Sequence, residues 1–505
     1  MLVNVSAVHD HVDYGVVIDA GSSGSRVHIY EWPHRSDTRM PLIEAAPFKE
    51  TTKWSKKVEP GLSSYASNPS GAATSIAELL TYVASVIPPV DHARTPVYVY
   101  GTAGLRKVPP TEAEHILNAV RDTVHHSPFL FRREWARIIS GQEEGTFGWI
   151  TVNHLKGTLH ARQSQDSHLT TVGALDLGGA STQITFAMPP ENTAPHPHVL
   201  PITLGGVTYQ LFSQSLLGFG VDELQRRSAA LARAQAPSTT LSPTDPAPFA
   251  CLPKGLIKEY ETPSGKISVT GTSQPHACVE LIKEVLEGAE EVCWLRPCAV
   301  SGFDLPFYEK YREFVAFSAY YYTAAFLELP GKPTLKQFEA AAASKLMQPY
   351  EDMVAQVSPK KLPYLPTYYV GGLYVPTLLS SFGMPMQSSG IEFAESINNV
   401  ELSWTVGAMM YQADLLLFGE CPFEKDVPVS VFGRWQTFLA GSSPEDMHCR
   451  HEKPLVSSML ALLGWAVLLV AFFWALHLHC AWLPKRFFSS KGVKRVASIH
   501  EIIVR

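Results

Sequence analysis

The sequence predicts a mixed α/β protein whose two similar half-domains face each other across a cleft. Two stretches carry the expectation and the chain length permits it. Residues 16–32 read VVIDAGSSGSRVHIYEW. β-Branched residues flank a Gly/Ser turn, the pattern of a β-hairpin. Small residues at its tip let backbone N–H groups approach a ligand closely, with hydroxyls beside them. Asp19 closes the first strand, where a carboxylate can hold a metal through water. Residues 174–186, ALDLGGASTQITF, repeat the plan about 155 residues later, with Asp176 in the matching place. One Gly/Ser turn is ordinary. Two with matched acids suit a phosphate chain carrying a divalent cation.

The chain has 505 residues, too many for one compact core and enough for two or three domains. A net charge of −6 gives no reason to expect nucleic acid as a partner. None of the seven cysteines precedes Cys251, no CxxC occurs, and no Cys/His set has zinc spacing. Residues 455–476 form a nearly unbroken apolar run without charge, long enough for a membrane helix. Lys485, Arg486, Lys491, Lys494 and Arg495 follow. The positive-inside rule then makes residues 477–505 a cytoplasmic tail and puts the large N-terminal portion outside or in a lumen. Residues 1–14 contain no signal peptide, so the expectation is that a preceding N-terminal segment is missing.

Along the chain, residues 56–69 are rich in turn formers and residues 70–86 carry apolar side chains at helical spacing. Residues 96–100 read as a buried strand running into GTAGLR, 101–106. That turn offers the Thr102 hydroxyl; a plain strand-to-helix loop is the alternative. Residues 111–124 read as a helix and 137–140 as a short strand. GQEEG, 141–145, follows as a junction before a helix over 146–155. Its adjacent acids point opposite ways, so only one of Glu143 and Glu144 faces a site; acids in a first helical turn also simply complement the helix dipole. Residues 209–220 are expected to form an amphipathic helix, and 228–250 a surface insertion. Residues 314–326, FVAFSAYYYTAAF, read as an aromatic helix, more typical of a core than of a ligand site. Residues 341–357 read as helical, residues 364–382 as apolar with a break at Gly371-Gly372, and 403–408 as the opening of a last soluble helix. Trp404 there either plugs the core or stacks on a base.

The ordered set DAGSSGSR (19–26), PGLSSYASNP (60–69), GTAGLR (101–106), IISGQEEGTFGWITVN (138–153), ALDLGGASTQITF (174–186), FVAFSAYYYT (314–323) and SWTVGAM (403–409) resembles the apyrase family, the nucleoside triphosphate diphosphohydrolases of cell surfaces and Golgi. GQEEG followed by FGW, with DLGGAST downstream, separates that family from actin, sugar kinases and exopolyphosphatases. The resemblance implies two ribonuclease-H-like lobes with the active site between them. The lobes would span 10–140, completed by about 395–440, and 141–394.

Carried over by position, the resemblance makes Glu144 the catalytic base. Asp19 and Asp176 would hold Ca²⁺ or Mg²⁺ through waters. Ser22, Ser23, Thr102, Gly178, Gly179, Ala180 and Ser181 would contact phosphate, and Gln183 would stand near the attacking water. Trp404 would line the site, and Tyr322 would stack on the base with Asp222 nearby. Val221 stands where some members carry an arginine beside the base. Cys251 with Cys278 and Cys293 with Cys298 match family disulfides. Cys421 with Cys449 is a further expected pair, and Cys480 is a candidate for palmitoylation. Asn4 heads the one usable glycosylation sequon.

The function expected is therefore a membrane-anchored, divalent-metal-dependent hydrolase of extracellular or luminal nucleoside tri- and diphosphates, with oligomerisation open. Phosphoryl transfer needs positioning and charge neutralisation more than covalent help, and such a metal wants carboxylate and water oxygens. Two other readings compete. A phosphotransferase of the actin and sugar-kinase type would use the same fold. A non-catalytic surface module would have lost Asp19, Glu144 or Asp176, and all three are present.

Overall fold

The computed structural model describes residues 12–34, 44–45, 54–159, 170–188, 198–236, 242, 245–262, 265–287, 313–329 and 331–418. The apolar run 455–476, its basic tail, Asn4, and Cys293, Cys298, Cys421, Cys449 and Cys480 lie outside them. No helix among the described residues is long and apolar enough to cross a membrane.

A first sheet is built from β1 (Val12–Ala20), β2 (Ser25–Pro33), β3 (Glu44–Ala45), β4 (Ser55–Val58), β5 (Val97–Gly101) and β6 (Ala136–Ile138). Its order is β3-β2-β1-β5-β6, with β4 also on β2. β1 and β2 pair antiparallel as the expected hairpin; β5 and β6 add in parallel. Helices α1 (Pro69–Val86), α2 (Ala103–Arg106), α3 (Pro110–His125) and α4 (Gly141–Leu155) are interspersed and follow. Val16, Ile18, Val27 and Val99 pack with Ile76, Leu79 and Ile116 of α1 and α3 in one core.

The second sheet uses β7 (Gly173–Leu177), β8 (Ser181–Met188), β9 (Val199–Leu204) and β10 (Val207–Leu217). After α5 (Val221–Gln235), a small sheet of β11 (Ala247–Phe249), β12 (Ile257–Thr262) and β13 (Gly265–Gly271), and α6 (Pro275–Glu287), the chain returns to this second sheet. It does so with β14 (Phe314–Ser318), followed by α7 (Ala319–Phe326), α8 (Leu335–Leu346), α9 (Tyr350–Gln356), α10 (Leu365–Ser381) and β15 (Ile391–Phe393). The order is β15-β14-β7-β8-β10-β9. β7 and β8 form the second antiparallel hairpin, with β14 and β15 added in parallel. The hairpin β16 (Ser396–Ile397) and β17 (Val400–Glu401) precedes α11 (Trp404–Phe418). The hairpin cores β2-β1-β5-β6 and β8-β7-β14-β15 thus share one plan.

Several local expectations change. Residues 209–220 are not an amphipathic helix: residues 207–217 are β10, a strand between β8 and β9. Tyr209, Leu211 and Ser213 are buried, and so are Phe212, Gln214 and Leu216 on the other face. A strand covered on both faces loses its alternation and mimics a helix. Residues 314–326 are not one helix but β14 and then α7, broken at Ser318. GQEEG does not precede a helix: it is the first turn of α4, where Ser140 and Glu143 make a reciprocal capping box. Of the expected surface insertion 228–250, residues 237–241 and 243–244 lie outside the described residues, and its two ends are not surface insertion. Ser228 to Gln235 belong to α5, and β11 is buried with Ala247 and Phe249 in the second core. Cys251 beside it is bonded to Cys278. Residues 341–357 split into α8 and α9 at Pro349. Gly371-Gly372 does not break α10; a Cβ at either would lie 2.9 Å from Thr323 Oγ1 or Ala342 Cβ, so the pair permits close helix packing. The turn-rich 56–69 contains part of β4 and a short 3₁₀ turn, Leu62–Tyr65.

Candidate active site

The two hairpin turns converge on one cavity of about 250 Å³. Asp19, Ser22, Ser23, Thr102, Glu144, Asp176, Gly178, Gly179, Ala180, Ser181, Tyr322 and Trp404 all line it. Gln183 and Asp222 are not on its wall. Gln183 is buried behind it and Asp222 lies against the second turn. The turns interlock by the absence of side chains. A Cβ on Gly179 would stand 2.6 Å from Asp222 Oδ2 and 2.9 Å from Ser22 Oγ, and one on Gly104 would stand 2.7 Å from Ser22 Cα. Glycine at these positions is what lets the loops close on a shared ligand.

Glu144 is aimed into the cavity from the first turn of α4. Ser140 N-caps that helix and accepts from the Glu143 N–H, while Glu143 accepts from the Ser140 N–H and pairs with Arg137 Nη2 at 2.6 Å. The acids of GQEEG therefore divide as expected: Glu143 completes the cap, and Glu144 faces inward. Glu144 Oε2 accepts from Arg106 Nη2 at 2.7 Å and from Gln183 Nε2 at 3.2 Å. Gln183 Nε2 also reaches Ser181 Oγ at 2.8 Å and Ser215 Oγ at 3.0 Å. Both contacts of the carboxylate fall on one oxygen, leaving Oε1 for the cavity.

Three acids share this space. Burial pushes the Asp19 carboxyl up to about 8, with Glu144 and Asp176 repelling its charge and Arg26 and a hydrogen bond from Trp404 opposing. Burial and Glu144 push Asp176 up to about 7, against hydrogen bonds from Ser318 and the Leu177 N–H. Burial raises Glu144 as well, and Arg106 offsets part of it. Buried like charges of this kind call for a counter-cation. Asp19 Oδ1 is also buried without a hydrogen-bond partner, an acceptor that a bound cation would satisfy. The donor set is all oxygen, which fits Ca²⁺ or Mg²⁺. Among the described residues no three His, Cys, Asp or Glu side chains form a direct ligand cage, so water would complete the shell.

Trp404 follows the core reading. It is 5% exposed, packs with Tyr100 and Phe147 at 6.3 Å, and lines the cavity beside Asp19. The aromatic run divides similarly: Tyr320 is fully buried and bonded to Thr182 Oγ1 at 3.0 Å, whereas Tyr322 is 41% exposed in the cavity mouth.

Two residues at the centre escaped the sequence reading. Arg106 was visible as the cation closing GTAGLR, but nothing in its spacing told of Glu144. Ser318 ends β14 at φ +56°, a region costly for a non-glycine residue, and lines the cavity beside Asp176, where it opposes the rise of that carboxyl. No local sequence signal marks that backbone. Arg26, Lys57, Glu395 and Glu401 also line the cavity.

A family model described as the GDA1/CD39 (nucleoside phosphatase) family matches residues 5–429, and the chain belongs to that family. It is 32% identical over 433 residues to ectonucleoside triphosphate diphosphohydrolase 8 of Bos taurus, covering 80% of this chain and 83% of that protein. It is 31% identical over 418 residues to probable apyrase 3 of Arabidopsis thaliana, covering 79% and 82%. Among solved structures, nucleoside triphosphate hydrolase from Neospora caninum superposes with a TM-score of 0.59 at 15% identity, covering 81% of this chain and 93% of that one. The last is a likeness of fold.

Proposed function

We propose that the protein hydrolyses the terminal phosphoanhydride bond of nucleoside tri- and diphosphates, with a divalent cation bound between Asp19 and Asp176. The observation that carries this is Glu144: a buried carboxylate between two phosphate-type turns, clamped through Oε2 with Oε1 left for the cavity. The activity carried in the names of the relatives is of the same kind.

In the mechanism, Ser22, Ser23, Thr102 and Ser181 supply hydroxyls, and the 178–180 backbone supplies N–H groups, to orient the phosphate chain. Gln183 holds Glu144 from behind the cavity wall, which fixes where Oε1 meets the incoming water. Glu144 Oε1 takes a proton as the water oxygen bonds to the terminal phosphorus and the bond to the bridging oxygen breaks. Inorganic phosphate leaves together with a nucleotide one phosphate shorter. The cation, when bound, neutralises phosphate charge. A base in this role must lose its proton near neutral pH, and the opposed effects of burial and Arg106 on Glu144 tune that.

The lobe assignment belongs to this proposal. The shared strand plan supports two ribonuclease-H-like halves; α11, proposed to complete the first, packs on β1 and more extensively on α4. The run 455–476 is proposed as the membrane anchor, holding the catalytic part outside the cell or in a lumen; carbonate extraction of expressed protein tests it. The test of function is phosphate release from ATP, ADP, UTP, UDP, GDP and AMP with Ca²⁺, Mg²⁺ or EDTA. Metal-dependent release from tri- and diphosphates but not AMP, falling about 10²–10⁴-fold in Glu144→Gln, is expected. Full activity in that variant overturns the assignment of the base.

A further inference from the structure

The cavity wall has two chemically distinct parts. One is the phosphate-type turns with Asp19, Asp176 and Glu144. The other is an aromatic and acidic mouth: Tyr321, Tyr322, Glu395 and Glu401. The charges acting on Tyr322 include Glu401, Glu395 and Arg26, none of them from the carboxylate centre. With phosphates held by the turns, the nucleoside end of a substrate faces this mouth.

Its two acids are not equivalent. Glu401 Oε1 is tied to Arg26 Nη1 at 3.3 Å. Glu395 has no basic partner among the described residues; it lines the cavity near Tyr321, whose hydroxyl feels its charge, beside Tyr322. A carboxylate offers only acceptors. It matches a base edge that presents two adjacent N–H donors, as guanine does with N1–H and the 2-amino group. Adenine sets the acceptor N1 beside its amine, and uracil flanks N3–H with two carbonyls, so both bring an acceptor against Glu395.

We propose that Glu395 selects guanine, making guanosine phosphates the preferred substrates with Tyr322 as the stacking face. This rests on the hydrolase reading above. Tyr322 in this mouth is 41% exposed, so discrimination is expected to be on the order of tenfold, as for one charge-assisted bidentate pair.

The experiment compares GDP, IDP, ADP and UDP on the full chain with Mg²⁺. It measures both kcat/KM and equilibrium binding to the Glu144→Gln form, with inorganic tripolyphosphate as a base-free substrate. The expected order is GDP, then IDP, which lacks the 2-amino donor, then ADP and UDP. Glu395→Gln turns one acceptor into a donor. It should bring GDP and ADP to within about twofold, losing on GDP and gaining on ADP and UDP. Tripolyphosphate cleavage should stay unchanged, which a merely unfolded variant would not show. Hydrolysis with no guanine preference, or a GDP:ADP ratio unmoved by the substitution, overturns the role of Glu395 and leaves the hydrolase reading standing. Guanine-selective binding without phosphate release from any substrate overturns the hydrolase reading alone.

Discussion

The two hairpins can be laid over each other residue by residue. Asp19 lies opposite Arg26 on its hairpin partner and beside Tyr100 on the parallel neighbour. Asp176 lies opposite Gln183 and beside Phe317. One step on, Ala20 pairs with Gly101 in the first half and Leu177 with Ser318 in the second. The backbone plan and the acid are kept, while the surroundings diverge. The first turn carries hydroxyls at Ser22 and Ser23 where the second carries Gly179 and Ala180, so one offers side chains and the other backbone N–H groups. The second half spends Gln183 on positioning Glu144, whereas Arg26 points to Glu401 at the cavity mouth. On the proposed function, one repeated strand plan carries a metal-and-phosphate role common to both halves and separate duties for each.

If both aspartates serve the cation, neutralising either should have the same large effect. Asp19→Asn and Asp176→Asn are each expected to lower metal-dependent phosphate release by about 10²–10³-fold and to abolish stabilisation by Mg²⁺ in thermal melts. One variant retaining both properties would break the symmetry and leave a single metal-binding half.

A smaller effect is expected at the latch between the halves. Arg106 reaches from α2 to Glu144 Oε2 and to Ser181 Oγ at 3.2 Å. Arg106→Met removes the cation that opposes burial of Glu144. The Glu144 pKa rises further, so the acid limb of the pH–rate profile should move to higher pH, with roughly tenfold less activity on its rising side. An acid limb that stays put, with only KM raised, would make Arg106 a phosphate contact instead.

Ser318 and Gly101 offer a finer comparison. At φ +56°, Ser318 pays backbone strain that glycine would not, and its hydroxyl stands beside Asp176. Ser318→Ala keeps the strain and loses the hydroxyl; Ser318→Gly loses both. The glycine variant is expected to be the more stable of the two by about 1 kcal/mol in chelator, by urea titration. Both should need several-fold more Mg²⁺ for half-maximal thermal stabilisation. Unchanged Mg²⁺ dependence in the alanine variant would remove Ser318 from the site.

The parts of this design written in contiguous residues were legible. Both hairpins, their acids and the division between Glu143 and Glu144 follow from local spacing. What was hidden depended on coverage or on distance. β10 read as a helix because both its faces are buried, and the β14–α7 break fell inside an unbroken aromatic run whose turn at Ser318 uses no glycine or proline. Arg106 and Glu144 stand 38 positions apart in sequence, and nothing local couples them. The acids of the mouth, Glu395 and Glu401, come from a short hairpin region with no motif of its own.

The smallest expected effect concerns protons and tests whether the two carboxylates act as one centre. Their ordinary value is 3.8; in the folded protein Asp176 is held up to about 7 and Asp19 up to about 8. Across the interval between, the native state keeps protons that the unfolded chain has released, so stability falls as pH rises. It is fully present below the ordinary value and lost once pH passes the raised ones. His28 runs the other way: burial lowers it from 6.5 to about 3, so its contribution grows with pH and is complete above its ordinary value. Above pH 6.5 the His28 contribution is complete, so the interval up to about 8.5 reports the raised carboxyls, Asp19 and Asp176 together with Glu144 and Asp222. In EDTA the melting temperature should decline across it, and Mg²⁺ or Ca²⁺ should raise it more at the alkaline end, where the cation has no proton to displace. Asp19→Asn should flatten the upper part of that decline and Asp176→Asn the lower. A chelated protein whose melting temperature is level or rising through the interval would mean that the two acids are already neutralised by their protein neighbours, and the case for a cation between the halves would lose its electrostatic basis.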